Sequence, residues 1–168
     1  NLANIIYEYG EERFSRQIAK NVCEYRKNKE IETTEELVKI IEKSIPGFAK
    51  KEGHPAKRTF QAIRIEVNDE LNVFEKSLRD ALDLLNIGGR ICVITFHSLE
   101  DRMVKSAFRK AENPCTCPSD FPVCVCGKKP LVKLISRKPI VAGDAELAME
   151  LTTKHIANAK VHMMKGVK

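Results

Sequence analysis

One stretch of the chain spaces metal-binding side chains so that they can converge: CTCPSDFPVCVC, residues 115 to 126. Cys115, Cys117, Cys124 and Cys126 form two Cys-x-Cys pairs separated by six residues. Four thiolates brought together suit a tetrahedral zinc ion, which would staple a loop that has little apolar content of its own. The spacing is less diagnostic than a pair of Cys-x-x-Cys knuckles, so free thiols and disulfides stay open as alternatives. Disulfides come last, because no residue pattern marks an oxidising compartment. No His lies within the loop, which argues against a catalytic role for these thiols. Cys23 and Cys92 fall in apolar helix and strand patterns and are expected to be inert core residues.

A second stretch, ICVITFHSLEDR (residues 91 to 102), reads as a buried β-branched strand that delivers His97 and Ser98 at its carboxyl end, with a helix beginning at once. In open α/β sheets ligands sit at that end of the strand. His97 can line a pocket and make one hydrogen bond. Ser98 is placed to cap the following helix, with Asp101 three residues on as the capping-box acid, which accounts for both without chemistry. A Ser-His nucleophile pair does not fit, since neighbours on a strand point to opposite faces. A third stretch, GHPAKRTFQAIRIEVNDEL, gathers Lys57, Arg58, Gln61 and Arg64 near the start of a helix. Free amides there favour anions, and this row can reach phosphates or a base edge. An ordinary solvated helix face is the competing reading.

The elements that must position these groups follow from periodicity. Residues 1 to 45 read as helical, with Tyr7, Phe14, Ile18, Val22 and Tyr25 near helical spacing. Thr33 and Glu36 form a capping box, and Leu37, Ile40, Ile41 and Ile45 the apolar stripe behind it, stopped by Pro46-Gly47. Lys50, Lys51, Gly53 and His54-Pro55 make a basic loop. Phe60, Ile63, Val67, Leu71, Phe74, Leu78, Leu82 and Leu85 predict one unbroken helix ending at Gly88-Gly89. A helix over 99–112, a Cys- and Pro-rich loop over 114–130, and strands at 131–136 and, more weakly, 159–164 complete the pattern. Three strands beside several helices leave a sheet edge open. The chain is therefore either α-rich with a small sheet, or lacks part of its sheet.

With 168 residues, 43% of them hydrophobic, the chain has enough core for one globular domain or a domain plus a small insert. The formal charge is +6, and its placement matters more than its size. Nine Lys or Arg and only two acids lie between Arg102 and Lys138. A polyanion such as nucleic acid is the corresponding partner, with a solvated basic face as the alternative. No apolar run approaches the roughly 20 residues of a membrane-spanning helix. The first residue is Asn1, not Met, so the chain is expected to be a piece of something longer.

Taken in order, YGEERFSRQIAK, HPAKRTFQAIRIEVNDEL, GGRICVITFHSLEDRMVK and RKPI resemble the ribosomal RNA small subunit methyltransferase H family, from about Asn1 to Ile140. The Cys loop looks like a variant found in some members. The resemblance implies transfer of a methyl group from S-adenosylmethionine to the exocyclic amine of a cytidine in 16S ribosomal RNA. It implies an α/β fold: a partial class I (Rossmann-like) methyltransferase sheet with a helical inserted domain, its N-terminal strands missing. On that basis residues 1–65 are the inserted, substrate-recognition domain, and residues 66–168 the C-terminal half of the methyltransferase domain with Cys-rich loop 114–130. The Gly-rich cofactor turn is expected upstream of Asn1, so the isolated chain is expected to be inactive. Lys57, Arg58, Gln61 and Arg64 are the expected RNA contacts, His97 and Ser98 the expected pocket lining, and Cys115, Cys117, Cys124 and Cys126 the metal ligands. The expected partners are 16S rRNA and the small ribosomal subunit in the cytoplasm, with a homodimer as a compatible assembly and no membrane. Where the family carries Asn-Pro-Arg-x-Arg-Ser-Ala-Lys, this chain reads ELTTKHIANAKVHMM, with His155 and Ala157 near the places of the two arginines. The alternative function is a non-enzymatic, zinc-stapled RNA-binding module.

Overall fold

Helical periodicity in the first third of the chain produces four helices: α1 (Leu2–Gly10), α2 (Ser15–Arg26), α3 (Thr34–Ser44) and α4 (Lys57–Val67). A fifth, α5 (Glu70–Asp83), leads to strand β1 (Arg90–Thr95) and helix α6 (Ser98–Glu112), followed by β2 (Val132–Leu134), β3 (Ile140–Val141) and β4 (Lys160–Gly166). The computed structural model describes residues 1–49, 53–118, 120–135, 140–141 and 160–166. Lys50 and Lys51 of the basic loop, and His155 and Ala157 of the divergent tail, lie outside the described residues. The chain divides into two compact units, Asn1–Glu70 and Leu71–Lys168.

The first unit is held by an aliphatic cluster of Ile6, Ile18, Val22, Ile40, Ile41 and Ile45, all buried. Ile18 and Ile41 are fully shielded, a burial that stabilises by about 1.5–3 kcal/mol per side chain. The α3 start is the capping box expected from Thr33 and Glu36: the Thr33 side chain accepts from the Glu36 amide while the Glu36 carboxylate accepts from the Thr33 amide. Lys29 pairs with the same carboxylate, and the Glu32 amide donates to it at 2.9 Å. Asn21 of α2 donates to the Ser44 hydroxyl at 2.8 Å, and Ser44 in turn donates to the Ile40 carbonyl, which ties α2 to the end of α3.

The single long helix expected from Phe60 to Leu85 is two helices. The chain breaks at Asn68-Asp69, where Asp69 adopts φ 51°, and α5 restarts at Glu70. Asn and Asp tolerate the left-handed region better than other side chains, so the apolar period runs on across a break it does not signal. The boundary between the two units falls one residue further on. The second helix also stops at Asp83, before the Gly pair, and Asn86 to Gly89 form a turn closed by a 2.8 Å hydrogen bond.

In the second unit, Val104, Phe108 and Ala111 of α6 pack with Leu78 of α5 and Val132 of β2. Every strand pairs antiparallel with β4. All six residues of β1 pair along one edge of β4, from Arg90 with Lys165 to Thr95 with Lys160. Because Val161 and Lys160 also pair with Ile140 and Val141, β3 and β2 share the opposite edge. The weakest strand of the sequence is thus the central one. Strand β1 is not the fully buried strand expected: Ile91 and Val93 are half-buried and Thr95 buried, while Cys92 and Ile94 alternate outward. Cys92 is therefore exposed, and so is Cys23 on α2, against the expectation of core cysteines.

Two outcomes test this account. Lys29, then the Glu32 amide, hold the Glu36 carboxyl down at about 2 against an ordinary 4.5. The folded-state value is the lower one, so the contribution is complete above about pH 4.5 and is lost as the pH falls toward 2. Urea midpoints between pH 6 and 2 should show that acid-side loss, and Glu36→Gln should remove part of it; identical pH profiles for the two proteins would refute the coupling. Gly10→Ala should destabilise the first unit by about 1–3 kcal/mol, because a Cβ there would sit 2.6 Å from the Arg58 carbonyl oxygen. An unchanged denaturation midpoint would show that α1 and α4 have room to part.

Candidate functional site

The end of α1 and the start of α4 come together, and with them the YGEERF and HPAKRTF segments. Gly10 is buried and carries no Cβ, which lets the α1 backbone lie against the Arg58 carbonyl. The last carbonyls of a helix lack intrahelical donors. Two in this region are satisfied from α4: Gln61 Nε2 donates to the Tyr9 carbonyl at 3.0 Å, and Arg58 Nη1 to the Glu11 carbonyl at 3.4 Å. Glu11 itself closes α1 in the left-handed region, its amide reaching the Ile6 carbonyl.

A small cavity of about 80 Å³ lies at this junction, lined by Glu12, Arg13, His54, Lys57 and Arg58 among others. Glu12 is only 5% exposed, and its Oε1 accepts from the Phe14 amide at 2.9 Å. Arg13 lies over the Phe14 ring, 5.7 Å from its centroid. His54 Nδ1 accepts from the Ala56 amide at 3.3 Å. The residue before α4 is Ala56, which has no polar side chain to cap the helix. Arg13, Lys57 and Arg58 thus line one cavity together with a buried carboxylate.

Of the four RNA candidates, Lys57 and Arg58 are exposed and adjoin this cavity. Among the described residues no ion pair or side-chain hydrogen bond occupies the Lys57 ammonium. Gln61 is half-buried and engaged with α1, as above. Arg64 is exposed and makes a two-pronged pair with Glu70, Nε to Oε1 at 2.8 Å and Nη2 to Oε2 at 3.0 Å. Sequence reading passed over Glu12 and Arg13. Their signal was present in YGEERF, an acid and a base directly after a helix-ending Gly, but only the α4 contact turns that into a site.

His97 and Ser98 belong to the second unit. The helix cap sits one residue earlier than expected: His97, extended at φ −140°, is the N-cap and Ser98 the first helical residue. His97 Nδ1 accepts from the Glu100 amide at 3.4 Å, and Glu100 Oε2 accepts from the Phe96 amide at 2.8 Å and the His97 amide at 3.3 Å. The capping-box acid is therefore Glu100, not Asp101. Asp101 is buried and paired with Lys105 at 2.7 Å. Because Nδ1 accepts, the ring proton of neutral His97 resides on Nε2. That Nε2 is buried and makes no hydrogen bond among the described residues, although Glu100 Oε1 lies 3.4 Å away.

The four loop cysteines converge. Their Sγ atoms all lie within 4.8 Å of one another. Cys115–Cys124 and Cys124–Cys126 are 3.4 Å apart; Cys117–Cys124 and Cys115–Cys126 are 3.8 Å apart. Backbone amides of Lys128 and Thr116, together with the Cys124 thiol, hold the Cys126 thiol down at about 6, and the shared hydrogen bond pushes Cys124 up to about 12. A cavity of about 560 Å³ between α5 and α6, floored by Leu78, Leu82, Ala107 and Leu131, lies in the same unit. No helix among the described residues is long and apolar enough to cross a membrane.

Residues 1–164 match the model of a family described as the MraW methylase family. The ribosomal RNA small subunit methyltransferase H of Lachnospira eligens is 61% identical over 147 residues, covering 87% of this chain and 47% of that protein. The protein of the same name from Ruminiclostridium cellulolyticum is 56% identical over 148 residues, covering 88% and 47%. That of Clostridium botulinum is 58% identical over 145 residues, covering 86% and 47%. The chain spans about half the length of the curated relatives it matches. A match that runs through both units, from α1 to the central strand β4, leaves one assignment: the chain belongs to the MraW methylase family.

Proposed function

We propose that the full-length protein transfers a methyl group from S-adenosylmethionine to the exocyclic N4 amine of a cytidine in 16S ribosomal RNA, within the small subunit or a precursor of it in the cytoplasm. The observation that carries this reading is the unbroken family match over residues 1–164, shared with relatives named for methylation of small subunit ribosomal RNA. In it, residues 1–65 act as a helical insert that recognises the RNA. Residues 66–168 act as the C-terminal part of a class I methyltransferase domain. The sheet supports this second assignment, since β1 and β2 run parallel with the antiparallel β4 between them.

The described residues do not fit a complete S-adenosylmethionine pocket. Strand β1 passes to α6 through Phe96 and His97, with no Gly-rich turn between strand and helix. S-adenosylmethionine supplies an electrophilic methyl on a sulfonium. The chemistry left to this chain is on the acceptor side. A cytosine amine is a poor nucleophile, because its lone pair is delocalised into the ring, so orientation in line with the methyl matters more than binding strength. The base must also leave its stack. In this reading Lys57 and Arg58 hold phosphates beside the flipped nucleotide, with the uncapped α4 amides adding to the anion preference. Gln61 fixes the α1–α4 geometry that presents them, and Glu70 holds the Arg64 guanidinium. His97 and Ser98, at the carboxyl end of β1, line the pocket edge, where the buried Nε2–H has a proton to donate.

Incubating the full-length protein with methyl-labelled S-adenosylmethionine and unmethylated small subunits should place label on a cytidine amine. Label in protein or lipid only, or none, would sink the assignment; salt-dependent RNA binding without transfer would favour a binding module instead. Lys57→Ala should weaken RNA binding and lower the slope of log affinity against log salt by about one, at unchanged thermal stability. His97→Asn keeps a capping side chain. It should fold normally yet slow transfer, whereas full activity would reduce His97 to a helix cap.

A further inference from the structure

We propose that Cys115, Cys117, Cys124 and Cys126 bind one zinc ion as a tetrahedral four-thiolate site that fixes the loop between α6 and β2. Zinc–thiolate bonds of about 2.3 Å in a tetrahedron require sulfur–sulfur edges of about 3.8 Å. Four of the separations are 3.4, 3.4, 3.8 and 3.8 Å, and no pair exceeds 4.8 Å. A disulfide would need a pair at about 2.0 Å and would leave no reason for the other two sulfurs to join it. All four thiols are free, so nothing covalent gathers them.

The backbone is arranged around the sulfurs as a metal knuckle requires. Gly127, directly after Cys126, adopts φ +65°, a turn that a side chain would strain. The turn brings the Lys128 amide onto Cys126 Sγ, and the Thr116 amide reaches the same sulfur from the other Cys-x-Cys pair. The Cys126 amide likewise faces Cys124. Amide donors of this kind orient and neutralise thiolate ligands. A zinc ion with four thiolates is a net anion, and Lys128 and Lys129 follow it at once.

The loop also needs a clasp. Its apolar residues Phe121, Val123 and Val125 are 53%, 70% and 75% exposed, so burial contributes little. Its far end is pinned to α6: the Leu131 amide donates to the Ala111 carbonyl, and the Leu134 amide to the Glu112 carboxylate, both at 2.9 Å. Metal ligation converts binding energy directly into ordering of such a segment. The function is structural, since four protein ligands leave no open position for a substrate. Locking the loop fixes where β2 leaves α6 to join β4.

The test is metal analysis of the purified chain, kept reduced and air-free, with cobalt as a spectroscopic substitute. The expected result is one equivalent of zinc retained through gel filtration. Cobalt-loaded protein should show thiolate charge-transfer absorption with the intense visible bands of tetrahedral coordination. Cys124→Ser should weaken zinc binding at least tenfold, whereas the Cys23→Ser/Cys92→Ser protein should bind as the parent does. Chelation should expose the 114–130 loop to protease while the helical circular dichroism persists. No metal uptake by the reduced parent chain, cobalt bound without thiolate bands, iron retained in place of zinc, or equal zinc affinity in the Cys124→Ser protein would each overturn the assignment.

Discussion

The contact on which the first unit's chemistry depends is the approach of the α1 terminus to the α4 backbone. It is possible only because residue 10 has no side chain: a Cβ would lie 2.6 Å from the Arg58 carbonyl oxygen. Once the backbones meet, Gln61 and Arg58 replace the missing donors for the Tyr9 and Glu11 carbonyls. The Gln61–Tyr9 bond is partly buried and the Arg58–Glu11 bond exposed, so the first does more to hold the junction closed. The same geometry sets Glu12, Arg13, His54, Lys57 and Arg58 around one small cavity. The close backbone approach at this junction thus rests on one glycine.

The second unit follows a different logic. Its helix α6 is anchored by Phe108 and Val104 and started by a His–Glu capping box. Its sheet is organised by β4, which pairs on both edges and comes last in the chain. Order in this unit therefore waits on contacts between residues some seventy positions apart, such as Arg90 with Lys165. Between α6 and β2 lies the loop whose sulfurs meet. The two units thus differ in kind: one holds the polar α1–α4 junction, the other the sheet, the β1 strand end and the cysteine loop.

What could be read from sequence was whatever is local. The Thr33–Glu36 box, the Ile40–Ile41–Ile45 stripe and the end of α6 at Asn113 are short-range patterns with direct physical causes. The spacing of the four cysteines allows the cluster that forms. The break at Asn68-Asp69 was not, because the apolar period continues through it while a single left-handed Asp restarts the helix. Hydroxyls are the commoner caps, which points to Ser98, yet His97 holds the extended conformation a cap needs. The apolar neighbours of Cys23 and Cys92 point to the core, but each lies on the outward side of an amphipathic element. The roles of Gln61 and Arg58 were hidden for another reason: their partners are 52 and 47 residues away. Read as a row of free donors, they are in part structural ties.

The central claim is that the α1–α4 junction is where this family member meets RNA. Photo-crosslinking of the full-length protein to small subunit ribosomal RNA, with the attached peptides located by mass spectrometry, addresses it most directly. The account expects crosslinks concentrated in residues 9–14 and 54–61, and competed away by unlabelled RNA. Efficient crosslinking confined to other segments, with those two peptides unmodified, would contradict it.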